Sequence, residues 1–269
     1  MKTEKSQELA NKIRQTAVEM VHRAKASHIG GALSMADILA VLYEEVMAIF
    51  PDNSSDPRRD RFLLSKGHAC TALYAVLAHK GFFPLKELES YSLDGSRLLS
   101  HTSHKVPGIE LSTGSLGHAL GVACGMALAA KRQNKSFHTY CMVSDGELNE
   151  GSNWEAILFA PHHQLGNLTL IVDYNKIQSF GTVEEVLNLE PLHSKFIAFG
   201  WEVLEIDGHQ HSDILKALKN SKIDTARPTV IIAHTIKGKG VSFMENKLLW
   251  HYRSPSDQDL EIAKREIQP

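Results

Sequence analysis

The sequence predicts an α/β fold, an open and mostly parallel sheet with helices on both faces, on three observations. The runs Tyr140-Cys141-Met142-Val143 and Leu168-Thr169-Leu170-Ile171-Val172 are short, uncharged and bounded by polar or glycine residues, the pattern of strands buried on both faces. A helix-length segment at 154–160 lies between them, and strand, helix, strand at this spacing makes a right-handed unit with parallel strands. Each run ends in a polar cluster, Ser144-Asp145-Gly146 and Asp173-Tyr174-Asn175, at carboxyl ends of strands, where open α/β sheets place their ligands.

The remaining elements follow in chain order. Leu9, Ile13, Ala17, Met20, Val21 and Ala24 recur at helical spacing and predict a helix over 4–26. A second helix is expected over 34–48, and the loop between the two carries His28, Gly30 and Gly31. The polar segment 51–61 leads into a strand at Phe62-Leu63-Leu64-Ser65, then Gly67-His68 and a helix through His79. Residues 81–112, with Pro84, Gly95, Pro107 and Gly108, read as a long irregular segment of the kind that often carries function. A helix over 115–132 precedes the strand-helix-strand unit. Two more strands, over 201–206 and 229–233, end at Asp207-Gly208-His209 and His234-Thr235, so polar residues keep collecting at one sheet edge.

A chain of 269 residues with 43% apolar content fits a single large domain over 1–269, burying about three quarters of its unfolded surface. A formal charge of −2 and a pI near 6.7 offer no polyanion-binding face, so neither nucleic acid nor an anionic membrane is an expected partner. Cys70, Cys124 and Cys141 lack metal-ligand spacing and sit in apolar text, as core residues in a reducing compartment do. The amino terminus opens a charged amphipathic helix, and the longest uncharged run, 111–130, is too rich in glycine and hydroxyls to span a bilayer. A cytoplasmic protein is expected.

Asp145 and Asn175 converge at one sheet edge with hard oxygens that suit Mg²⁺ or Ca²⁺ and suit zinc poorly. Mg²⁺ keeps few protein ligands and is completed by water and phosphate oxygens, so a diphosphate is its natural companion. The same residues also fit an ordinary turn and a helix cap. Thr113-Gly114-Ser115-Leu116-Gly117 precedes a helix whose amino end suits an anion, or is an ordinary capped start. Gly117, Gly121 and Gly125 form a side-chain-free ridge that fits a closely packed partner or tight packing within the domain. Lys237-Gly238-Lys239-Gly240 lacks phosphate-loop spacing and reads as a mobile loop over the site.

Asp145-Gly146, Glu150-Gly151 and Asn175 follow the order of the thiamine diphosphate fingerprint. The surrounding text resembles the transketolase family in particular, through Ser27-His28-Ile29-Gly30-Gly31, Met35-Ala36-Asp37-Ile38, Leu64-Ser65-Lys66-Gly67-His68, Ser112-Thr113-Gly114-Ser115-Leu116-Gly117 and Asp207-Gly208-His209. The similarity covers only the amino-terminal, diphosphate-binding domain of such enzymes, so the chain resembles the first subunit of a split transketolase. The resemblance implies a partner subunit carrying the pyrimidine-binding and carboxyl-terminal domains, in an α2β2 assembly with sites between subunits.

It further implies a cofactor, thiamine diphosphate with Mg²⁺ (Ca²⁺ or Mn²⁺ substituting), and ketol transfer between sugar phosphates. Asp145, Asn175 and the Ile177 carbonyl are then the metal ligands. His68, Gly114, Ser115, Leu116, Gly146, Glu147, Asn175 and His251 face the cofactor, while His28, His101 and His251 are the catalytic histidines. Glu150 corresponds to an interface residue. His79, His138, His162, His163, His193 and His211 are assigned to core or surface, and His104 lacks the further ligands of a metal site. Ser144, Ile29, Thr102, His118 and Tyr252 depart from the family pattern and are expected to flank the substrate, which leaves an ordinary pentose phosphate or an unusual ketose phosphate open. Rival readings are a 1-deoxyxylulose-phosphate synthase-like or 2-oxoacid dehydrogenase α-like subunit, and a non-catalytic subunit of the same fold.

Overall fold

The computed structural model describes residues 3–223 and 226–267. The strands are β1 (Arg61–Leu64), β2 (Thr139–Ser144), β3 (Leu168–Tyr174), β4 (Glu202–Asp207) and β5 (Thr229–His234). They form one sheet in the order β1-β2-β3-β5-β4, and each neighbouring pair is parallel. The helices are α1 (Glu4–Ala24), α2 (Ile29–Ser34), α3 (Ala36–Val41), α4 (Cys70–His79), α5 (Ala119–Arg132), α6 (Gly151–His162), α7 (Val183–Val186), α8 (Leu192–Ala198), α9 (His211–Asn220) and α10 (Asp257–Glu266).

The alternation of side chains along each strand explains the two-sided core. Phe62, Leu64, Tyr140, Met142, Ile171 and Ile231 pack on one face with α1, α3, α4 and α9, whereas Leu63, Cys141, Val143, Leu170, Val172 and Ile232 pack on the other with α5, α6 and α8. Central strands buried from both sides need no polar alternation, which is why β2 and β3 read as continuous apolar runs. The cysteines are free and buried in this core. Among the described residues no helix is long and apolar enough to cross a membrane.

Two expected helices differ from what forms. The one over 34–48 breaks at Met35, whose backbone leaves the helical region (φ −95, ψ 0), and α3 then widens into a π turn at Leu42–Val46. The one over 115–132 begins only at Ala119 because Gly117 adopts φ +78, outside the right-handed region. The amide hydrogens freed there find other acceptors: Gly117 N–H donates to the Glu147 carboxylate at 2.6 Å and Ala119 N–H to Ser65 Oγ at 3.1 Å. Gly121 and Gly125 then face outward with nothing within 4 Å of a built Cβ, so packing within the described chain does not account for them.

Candidate active site

The ends of β1, β2, β3 and β5 lie side by side and deliver Lys66, Asp145, Asn175 and Lys237 to one cavity of about 300 Å³. Of the residues singled out in the sequence, His28, His68, Ser115, Leu116, Asp145, Gly146, Asn175, Ile177 and His251 line it. Close approach of the 113–114 loop to β1's end depends on Gly67, where a Cβ would meet the Gly114 carbonyl oxygen at 2.5 Å.

Asp145 is buried, and its carboxylate accepts the backbone N–H groups of Gly146 at 2.7 Å and of Lys176 at 2.5 Å. Burial, with the Asp173 charge beside it, pushes its pKa up to about 6. Such a carboxylate gains from an added cation. Asn175 Oδ1 accepts Ile177 N–H at 3.2 Å, and the Ile177 carbonyl faces the Lys237 ammonium at 2.9 Å. Among the described residues no cluster of three His, Cys, Asp or Glu is available for a metal, and the cavity oxygens that could hold one are the Asp145 carboxylate, the Asn175 amide oxygen and the Ile177 carbonyl. These oxygens fit Mg²⁺.

Three imidazoles stand over the cavity: ring centroids are 5.1 Å apart for His28 and His68, 5.0 Å for His28 and His251, and 5.9 Å for His68 and His251. Burial lowers all three pKa values, with Lys237 adding to the effect; His251 falls to about 3 and His68 well below the ordinary range. Each is therefore neutral near pH 7 and able to donate from one ring nitrogen while accepting at the other.

His101, Gly114 and Glu147 do not line the cavity. His101 sits at its rim, Nε2 being 3.0 Å from Ser115 Oγ, and burial lowers its pKa too. Glu147 points inward instead: it is fully buried and accepts from Ser65 Oγ, Gly117 N and Ser144 N, so its side chain braces the loop from beneath. Ile29 and Thr102 are also buried, Thr102 in a hydrogen bond with Thr113, and neither lines the cavity. Ser144 and Tyr252 do line the cavity, and the Tyr252 hydroxyl donates to the Ser179 carbonyl at 2.7 Å.

Sequence reading missed the buried cations. Lys66 is 1% exposed, pairs with fully buried Asp173 and donates to the Gly31 carbonyl at 3.0 Å. Asp173 also accepts from Ser34 Oγ at 2.6 Å and from Thr235 Oγ1. Lys237, in the segment read as a loop over the site, is 4% exposed and sits within its wall; burial lowers its pKa to about 8. Both lysines lie in motifs quoted above, but a lysine beside a glycine reads as solvated unless its neighbours in space are known. A wider groove of about 1290 Å³ along β4 and β5 shares Asn175 and Ile177 with the cavity but none of the three imidazoles.

The profile of the family described as "Transketolase, thiamine diphosphate binding domain" matches residues 5–267. An apulose-4-phosphate transketolase subunit of Phocaeicola vulgatus is 43% identical over 258 residues, covering 96% of this chain and 92% of that one. The 6-deoxy-6-sulfo-D-fructose transketolase subunit SqwG of a Clostridium species is 41% identical over 263 residues, covering 97% and 96%. The crystal structure of transketolase from Campylobacter jejuni superposes with a TM-score of 0.94 at 34% identity, over 99% of this chain and 43% of that one. The chain thus spans less than half the length of that enzyme, and of transketolase from Leishmania mexicana it covers 41%, with a TM-score of 0.93. By sequence and by fold, this chain belongs to the transketolase family, in its thiamine diphosphate-binding domain.

Proposed function

We propose that this chain is the diphosphate-binding subunit of a split, cytoplasmic transketolase. In this reading residues 1–269 form one domain, and a partner subunit supplies the pyrimidine-binding domain in an α2β2 assembly. The complex transfers a two-carbon ketol unit from a ketose phosphate to an aldose acceptor. The relatives named for apulose-4-phosphate and 6-deoxy-6-sulfo-D-fructose favour an unusual phosphorylated or sulfonated ketose over an ordinary pentose phosphate.

Thiamine diphosphate, when bound, supplies the carbanion-stabilising chemistry that lets a ketose carbon–carbon bond break and re-form. Asp145, Asn175 and the Ile177 carbonyl would hold Mg²⁺, with Ca²⁺ or Mn²⁺ able to replace it. Ser115, Leu116, Gly146, His68 and His251 contact the cofactor, and Lys237 offsets the charge of its diphosphate. Gly114 and Glu147 contribute by shaping the 113–117 loop. His28 and His101 bind the sugar hydroxyls, and neutral imidazoles can pass protons there without first having to lose one.

The observation that carries this reading is the meeting of three oxygen donors with three imidazoles in one cavity. Its test is ketol transfer by the purified chain, by the partner and by their mixture, with thiamine diphosphate and Mg²⁺. Turnover only in the mixture is expected. Turnover by the chain alone contradicts the split, and pyruvate consumption in place of ketol transfer contradicts the reaction.

A further inference from the structure

Lys237 is aimed from outside the cavity. Its Nζ donates to the Ile177 carbonyl at 2.9 Å and approaches His251 Nδ1 at 3.1 Å, while its stem crosses Gly30, where a Cβ would meet Lys237 Cγ at 3.0 Å. The backbone on either side is held by a partly buried network separate from the three imidazoles. Ile236 N–H donates to His209 Nε2 at 2.8 Å, and His209 Nδ1 lies 2.7 Å from Asp37 Oδ2. Arg14 grips the same Asp37 carboxylate at 3.0 and 2.5 Å and donates from Nε to the Lys239 carbonyl at 3.1 Å.

The tautomer follows from these partners. Nε2 receives an N–H and so carries no proton, which puts the His209 proton on Nδ1, donated to the carboxylate. Arg14 and His211 Nε2, 3.1 Å away, surround the rest of Asp37. Their combined attraction holds its carboxyl far below the ordinary range despite burial, so it stays an acceptor. A histidine locked between a fixed anion and a backbone amide has one orientation, and it passes that orientation to Ile236, the residue before Lys237.

We propose that His209, oriented by Asp37, is a positioning residue for the cofactor site: it sets the backbone at Ile236 and thereby aims the Lys237 ammonium into the cavity, toward the cofactor's diphosphate, a role that rests on the thiamine diphosphate reading of the cavity. Outer partners that orient a ligand-holding group typically matter by about 10- to 100-fold in affinity.

Two readouts test it on wild type, His209→Ala and His209→Gln. Amide hydrogen exchange over 236–246 in the full chain reads the positioning without cofactor. Affinity of the chain, assembled with its partner, for Mg²⁺ and thiamine diphosphate reads the consequence. His209→Ala is expected to speed exchange and weaken affinity, each by about tenfold, with turnover at saturating cofactor near wild type. His209→Gln, whose amide offers both a donor and an acceptor, is expected to restore both. If His209→Ala does not fold, Asp37→Asn, which keeps an oxygen for Arg14 while weakening the hold on His209, carries the same expectations. Unchanged exchange overturns the proposal, as does faster exchange with unchanged affinity. A wild-type complex with no affinity for the cofactor overturns the functional reading itself, and the proposal with it.

Discussion

The Glu147 carboxylate accepts the Gly117 amide hydrogen at 2.6 Å across the base of the cavity, joining the turn after β2 to the loop before α5. Ser65 Oγ and Ser144 N–H complete its shell, so one buried hydroxyl and two half-buried amides depend on one side chain. Glu147→Ala leaves the buried Ser65 hydroxyl unpaired at about 1–3 kcal/mol, with a smaller loss at the two half-buried amides. Chemical denaturation of the chain is expected to show a loss of about 1–3 kcal/mol or more, and a variant as stable as wild type would remove Glu147 from this bracing role.

The Lys66–Asp173 pair gives a second expectation. Both side chains are almost completely excluded from solvent, at 1% and 0% exposure. Lys66→Met strands a buried carboxylate, and breaking such a pair from one side costs about 3–5 kcal/mol. Urea denaturation checks the size of the loss, and a near-neutral result would mean that Asp173 is satisfied by Ser34, Thr235 and Asn175 without the lysine.

His138 sets an acid limit on stability. It is buried beside Thr169, 2.7 Å from Nε2, and burial lowers its pKa to about 4. The folded chain therefore resists a proton that the unfolded chain accepts at about pH 6.5, so this site costs nothing above that pH. As pH falls from about 6.5 to about 4 the unfolded state binds more protons and stability drops, by about 3 kcal/mol in all. Denaturation midpoints at pH 7 and pH 4.5 should differ less in His138→Gln than in wild type.

The imidazoles are expected to matter for turnover and little for folding. His28→Ala or His251→Ala in the assembled complex should lower kcat/KM for ketol transfer by about 10²-fold or more with the thermal midpoint of the chain nearly unchanged. Steady-state kinetics beside a melting curve separate the two effects, and wild-type kinetics in both variants would remove these residues from the reaction.

Legibility in the sequence follows physical range. Strands β2 and β3 were visible because double-sided burial writes itself as an uninterrupted apolar run, and Asp145 and Asn175 were visible because they end those runs. The start of α5 was not, because Gly117's left-handed turn is stabilised by Glu147, 30 residues away in sequence. For the same reason Glu147 read as a cavity residue when its carboxylate points beneath the loop. Arg14, Asp37 and His209 are distant in sequence and meet only once α1, α3 and the β4 end are packed, so no local pattern reveals them. Lys66 and Lys237 are hidden by the same limit: burial of a cation depends on anions and carbonyls brought in by other strands.

Oxygens at the ends of β2 and β3 are expected above all to grip a metal-bridged diphosphate. Calorimetric titration of the assembled complex with Mg²⁺ and thiamine diphosphate tests this most directly, using Asp145→Ala and Asn175→Ala. Loss of affinity by about 100-fold or more in each variant is predicted, with ketol transfer falling in step. Affinity and activity equal to wild type in both would contradict it.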